Sequence, residues 1–179
     1  MRTHSIWSWL AAAVWGVSCG ILSAEPVQRH LTMKVTAESS SDYQKIPNSS
    51  ERIKHQSRQL NFALDNRDKE EVKDVSVKWA IYARKMRDNK VILMKEGTEK
   101  SKIAALGAVT LKSARVMMKG NPKYSVVTSK NNNNRDLPQF ETKKYPADGE
   151  EYYGYSVQMY VGTELIDEVY SQPSLKAKK

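Results

Sequence analysis

Val75-Ser76-Val77-Lys78-Trp79-Ala80-Ile81-Tyr82-Ala83 is the stretch on which the fold turns. Val75, Val77, Trp79, Ile81 and Ala83 recur at every second position, with Ser76, Lys78, Ala80 and Tyr82 between them. A period of two in β-branched and aromatic residues belongs to a strand with one face on a core. Trp79, at its centre, needs a thick apolar layer to bury it. The chain around it offers short strands, so a second sheet packed over Trp79 is expected.

Outward from that strand the same alternation recurs. His30 to Ala37 sets Leu31, Met33, Val35 and Ala37 on one side, and Arg58 to Asn66 does so with Leu60, Phe62 and Leu64. Between them, Glu38 to Ser57 is polar and serine-rich with Pro47 inside it, which predicts a long exposed loop. Asn48-Ser49-Ser50 in that loop is a glycosylation sequon by pattern, though in a bacterial host it is only loop. Turn chemistry follows at Asp65-Asn66-Arg67-Asp68 and at Arg87-Asp88-Asn89, a strand at Lys90 to Lys95, and a further reversal at Glu96-Gly97-Thr98. Ser101 to Lys119 has apolar residues at spacings a helix also permits. Gly107 and the Val109-Thr110 pair weigh against a helix, and strands are expected. Gly120-Asn121-Pro122 ends that run, Tyr124 to Thr128 is extended, and the four asparagines Asn131 to Asn134 form a tip loop.

The last segment carries the clearest local signal. Tyr153, Tyr155, Val157, Met159 and Val161 share one face, and Tyr152, Gly154, Ser156, Gln158 and Tyr160 the other. Gly162-Thr163 then separates this strand from Glu164 to Tyr170, and a two-residue loop with Gly first predicts a type II′ hairpin turn. Gly154 is expected to let a neighbouring ring lie over the strand. Beyond Ser171-Gln172-Pro173 the basic tail Lys176 to Lys179 is expected to fray.

About seven to nine short strands with no long helix give an all-β, two-sheet antiparallel sandwich. Trp79 in the third strand, and Asp148-Gly149 ahead of Tyr152, Tyr153 and Tyr155 in the penultimate one, are the residues on which the chain resembles an immunoglobulin or fibronectin type III sandwich. That resemblance gives Tyr153 the role of pinning a corner through its hydroxyl. The inter-sheet cysteine pair of antibody domains is absent. The run Tyr152 to Val157, with Val161-Gly162-Thr163-Glu164-Leu165 and Ser171-Gln172-Pro173-Ser174-Leu175, is also similar to the C-terminal hairpin of uncharacterised secreted proteins of Planctomycetes and Verrucomicrobia. This second likeness implies an exported bacterial β domain and transfers no site residues.

The first two dozen residues obey a different rule. Arg2 is followed by an apolar or small run from Ile6 to Leu22, and Leu22-Ser23-Ala24 supplies small residues where a signal peptidase cuts. The expected organisation is a signal-peptide helix over 1–24, cleaved between Ala24 and Glu25, a sandwich domain over 25–175 and a basic tail over 176–179. The competing organisation is an uncleaved anchor, because an apolar run of about 17 residues is the lower margin for spanning a bilayer. Cleavage removes Cys19, the one cysteine, so the mature body has no disulfide in an oxidising compartment. It also removes Arg2 from the 29 Lys and Arg, leaving 28 against 20 Asp and Glu, or +8. A surplus of that size favours anionic partners such as polysaccharide or another envelope component.

Few catalytic chemistries find their parts. His30 and His55 are the only histidines of the mature chain, which leaves no base for a nucleophile and no zinc ligand set. No Gly-x-Ser-x-Gly elbow occurs in the mature chain, and Gly149 with Gly154 has phosphate-loop spacing but Tyr155 in place of the lysine. Asp65, Asp68, Glu70, Glu71 and Asp74 could cluster on calcium, yet Arg67, Lys69 and Lys73 interleave them as in a solvated acidic turn. No cofactor is expected. Lys143-Lys144 and the basic tail form no nucleic-acid recognition motif, and export argues against that partner.

Tyr82, Tyr152 and Tyr160 lie opposite the presumed core, where sugars and anionic polymers stack on rings beside basic side chains. The expectation is therefore a secreted or periplasmic, non-enzymatic module for interaction or structural support, with Trp79 and Tyr153 as structural residues. Membrane attachment would come only through an uncleaved leader. Two competing classes are a hydrolase built from dispersed carboxylates and a surface-assembly subunit that pairs through an edge strand. N-terminal sequencing of the exported protein should begin at Glu25; a start well before it would refute cleavage at Ala24.

Overall fold

In the computed structural model, which describes residues 30–47, 49–130 and 139–176, the period-two segments become strands of an all-β, antiparallel fold. In chain order they are β1 (Leu31–Lys45), β2 (Arg52–Asn66), β3 (Val72–Lys85), β4 (Val91–Ile103), β5 (Ala108–Lys112), β6 (Val116–Asn121), β7 (Tyr124–Lys130), β8 (Gln139–Tyr145), β9 (Asp148–Val161) and β10 (Glu164–Tyr170). One helical turn, α1 (Pro173–Lys176), follows. The signal-peptide region, Asn48 of the sequon and the asparagine tip all lie outside the described residues.

β1 and β2 pair along their whole length, and β5 and β6 share the far edge of β2. The second layer has the order β4-β3-β9-β10. β9 joins the two. It starts beside β6, at Gly120↔Gly149 and Asn121↔Asp148, and then runs on along β3. The corner needs a glycine: Gly149 has φ +88°, and a Cβ there would meet the Lys119 carbonyl oxygen at 2.5 Å. β7 and β8 form a separate two-stranded arm inserted between β6 and β9.

The core fills the space between the layers. Leu60, Phe62 and Leu64 of β2 face Val75, Val77, Trp79 and Ile81 of β3, with Val157 and Met159 of β9, and all of them are buried. Trp79 is 4% exposed, as the β3 pattern requires. Two buried polar side chains close the gaps. Asn66 donates to the carbonyls of Glu70 at 2.8 Å and Ala104 at 2.9 Å and accepts from Asp68 N, tying two turns to the end of β2. Ser113 Oγ accepts from Leu60 N at 2.9 Å where the partner of β2 changes from β5 to β6.

Several expectations are corrected. Glu38 to Ser57 is not a loop: Glu38 to Lys45 pairs residue by residue with Arg52 to Gln59, and only residues 46–51 reverse the chain. This half of the hairpin runs past the core, so both of its faces are polar and no apolar alternation marks it. Gly97 makes no reversal. β4 runs straight through it, and the Trp79 indole covers it so closely that a Cβ would lie 2.6 Å from Cζ2. Nε1 of that indole donates to Glu99 at 3.2 Å. The covering expected at Gly154 is not a ring but the C-terminal turn, with Ser171, Gln172 and Leu175 against it. Leu175 is buried and Lys176 pairs with Glu168 at 2.8 Å, so the tail is docked at least through Lys176. The Gly162 turn matches its type, since Gly162 has φ +59° and Thr163 has no positive φ.

Gly97→Val would force the indole out of its seat and should lower the unfolding free energy by about 1–3 kcal/mol. Trp79→Ala should cost about 3–5 kcal/mol. Urea unfolding followed by far-UV circular dichroism measures both, and a Gly97→Val protein as stable as the parent would contradict the packing described.

Candidate functional site

The outward face of β4-β3-β9-β10 follows from the same alternation that builds the core. Register places Glu96, Ala80, Ser156 and Tyr170 in one row across the four strands, and Thr98, Lys78, Gln158 and Glu168 in the next. Small residues fall in the middle of the first row and long ones around it. The result is a depression of about 470 Å³ over Ala80 and Ser156. Lys78, Tyr82, Gln158 and Tyr170 rise around it, and Leu175 from the C-terminal turn closes one end.

Its polar groups are held by one another. Tyr160 donates its hydroxyl to Gln158 Oε1 at 3.0 Å, and Gln158 Nε2 donates to the Tyr170 hydroxyl at 3.4 Å. Tyr170 in turn donates to Glu168 Oε2 at 3.0 Å, and Lys176 Nζ reaches the other oxygen of that carboxylate. The Lys78 ammonium stands 4.6 Å above the centre of the Tyr160 ring. The chain holds Gln158 and Tyr170 in place at the wall of the depression.

Of the three tyrosines read from the sequence as a binding face, the structure brings two together. Tyr82 lines the depression and Tyr160 stands beside it on the same outward face. Tyr152 does not join them. A one-residue bulge between the Tyr82↔Gly154 and Ala83↔Tyr152 pairs shifts the phase of β9. Tyr152 therefore sits opposite buried Ala83 and packs against the core. Tyr153 is the extra residue, and its hydroxyl shares a 2.6 Å hydrogen bond with Ser174 Oγ, pinning the C-terminal turn. Gln158, Glu168, Tyr170 and Lys176 were not singled out from sequence. Hydrogen-bonding residues spread over β9, β10 and α1 carry no motif, and the hairpin register alone would set Val169 opposite Ser156; the bulge between Leu165 and Asp167 puts Tyr170 there instead.

The end of the molecule beyond Arg84 has a different character. The far half of the β1/β2 hairpin, the β3/β4 turn, β6 and the base of the β7/β8 arm meet there through the β2/β6 and β6/β9 pairings and the hydrogen bond from Met86 N to Gly149 O. Over residues 39–58, 84–90, 115–129 and 140–151 there are thirteen Lys and Arg against seven Asp and Glu. The remaining described residues, Lys130 aside, hold ten against eleven. The cationic surplus therefore belongs to this end. Cations lie over rings there, with Arg58 4.5 Å from the centre of Tyr152, Lys143 5.3 Å from Tyr145 and Lys54 6.0 Å from Tyr43. Tyr124 stacks on Tyr145 at 4.7 Å.

The other chemistry-bearing residues stay apart. His30 pairs with Asp68 at 3.1 Å and His55 faces Gln44 at 3.3 Å, on opposite halves of the hairpin. Asp65 is held by Arg67, and no three His, Cys, Asp or Glu come together among the described residues. Glu151 forms an ion pair with Arg84. No protein-family model matches the chain, and no curated protein matches it either. Function is therefore read from the geometry alone.

Burial holds the Tyr152 phenol above its ordinary value, offset by a hydrogen bond to Ser171, raised further by Tyr155 and eased by Arg58. A phenol raised in the folded state keeps its full contribution below the unfolded value of about 10 and loses it as pH climbs past that point. Stability should therefore fall with rising pH above about 10. Tyr152→Phe should flatten that fall, which urea midpoints measured across the alkaline range would check; an unchanged slope would contradict the assignment.

Proposed function

We propose that this chain is an exported, non-catalytic β-sandwich module that holds an anionic polysaccharide of the cell envelope at its basic end. The observation that carries the reading is the segregation of charge: the cationic surplus lies around the two hairpin arms, while the rest of the body is close to neutral. Clustered cations raise the local concentration of a polyanion and speed its approach. Tyr43, exposed beside Lys54, adds a flat face suited to a sugar ring. We also propose kinship with immunoglobulin or fibronectin type III sandwiches. The order β4-β3-β9-β10 opposite β1-β2-β6 supports it, as does Trp79 on the third strand, while the arm β7/β8 is an addition to that plan.

The test compares two triple variants with the same change in net charge. Lys54→Glu, Arg87→Glu and Lys143→Glu act at the basic end, and Lys73→Glu, Lys100→Glu and Lys102→Glu act on the neutral body. On an immobilised polyuronate or sulfated glycan, the first triple should weaken binding roughly tenfold or more and the second much less, since screening confines each charge to about 8 Å at physiological salt. Parental binding should weaken steeply as salt rises. Equal loss from both triples would reduce the effect to net charge and sink the reading. Preference for nucleic acid over every polysaccharide would redirect it to another polymer.

A further inference from the structure

We propose that the depression over Ala80 and Ser156 is a second binding site, for an uncharged pyranose unit of a glycan. It is separate from the basic end and does not depend on the polyanion reading. Its size, about 470 Å³, falls within the range of small-ligand pockets. Its chemistry narrows the class. An ammonium at Lys78, an amide at Gln158, hydroxyls at Ser156 and Tyr170 and a carboxylate at Glu96 offer donors and acceptors together. A ring of hydroxyl groups, each both donor and acceptor, answers all of them at once.

Other ligand classes fit worse. An anion would meet the Glu96 carboxylate, and Lys78, the single cation of the lining, has its ammonium drawn over the Tyr160 ring. An apolar ligand would strip water from every polar wall group and return no hydrogen bond, at a cost of about 1–3 kcal/mol for each. A metal ion has no cluster of three ligating side chains among the described residues. Tyr82 and Tyr170 supply ring faces at the wall, and the floor of Ala80 and Ser156 leaves room for a flat saccharide to lie along the strands. The Tyr160-Gln158-Tyr170-Glu168 chain fixes the wall groups in advance, so less ordering is lost on binding.

The experiment is a titration of the isotope-labelled full chain with hexamers of β-1,4-glucose, α-1,4-glucose and β-1,4-N-acetylglucosamine, followed by amide NMR. At least one hexamer at millimolar concentration should shift the amides of Ala80, Ser156 and Gln158 and leave the basic end unmoved, with little dependence on salt. Gln158→Ala should weaken that binding at least about fivefold, or on the order of 1 kcal/mol. Ala80→Phe, which fills the floor without removing a polar group, should abolish it. No shift with any hexamer, shifts confined to the basic end, or undiminished binding by a folded Ala80→Phe protein would each overturn the proposal. Should Ala80→Phe fail to fold, the shift map of the parent protein decides alone.

Discussion

The two layers are held against each other by side-chain packing, because the only cysteine in the chain is Cys19 and no disulfide can form within it. That places the burden on the inner faces of β2 and β3, where Phe62 and Ile81 are fully buried and Trp79 nearly so. The indole is the largest of these groups, and it lies inward only because Gly97 on the neighbouring edge strand leaves space beneath it. Its N–H would be a buried orphan without Glu99, whose carboxylate points toward the core from that same edge. A charge so placed also discourages another strand from adding to β4. One tryptophan, one glycine and one carboxylate thus fix the register of β3 against β4.

Everything on the outward face inherits that register. Glu96 lies across from Ala80, and Ala80 from Ser156, because Trp79 is set opposite Gly97 and Val157. The depression, its walls and the hydrogen-bonded chain beside it are the solvent side of the arrangement that packs the core. The basic end depends on a different device, the extension of strands beyond the core into hairpin arms whose polar residues have no layer to cover.

What could be read in the sequence and what could not divide along physical lines. Where one face of a strand meets the core, as in Val75 to Ala83 or Leu60 to Leu64, apolar alternation announces it. Past the core that contrast vanishes, which is why Glu38 to Lys45 looks like loop while it pairs along its whole length. Glycine is ambiguous in the same way. Gly97, serving close approach, is indistinguishable in sequence from a turn glycine, and only its partner strand tells the two apart. A single bulged residue, Tyr153, reverses the facing of Tyr152 while leaving the text of the strand intact. The depression was hidden because its floor is made of Ala80 and Ser156, residues with no signature, and its end wall arrives from Leu175 far along the chain.

The stacked rings of Tyr124 and Tyr145 mark where the β7/β8 arm leaves the sandwich and where it returns. Because departure and return coincide, the arm is topologically a graft. Its length and sequence are free to drift, or to be exchanged wholesale, without disturbing a single core contact. A lineage carrying this scaffold can retune what its arm touches while inheriting the body unchanged.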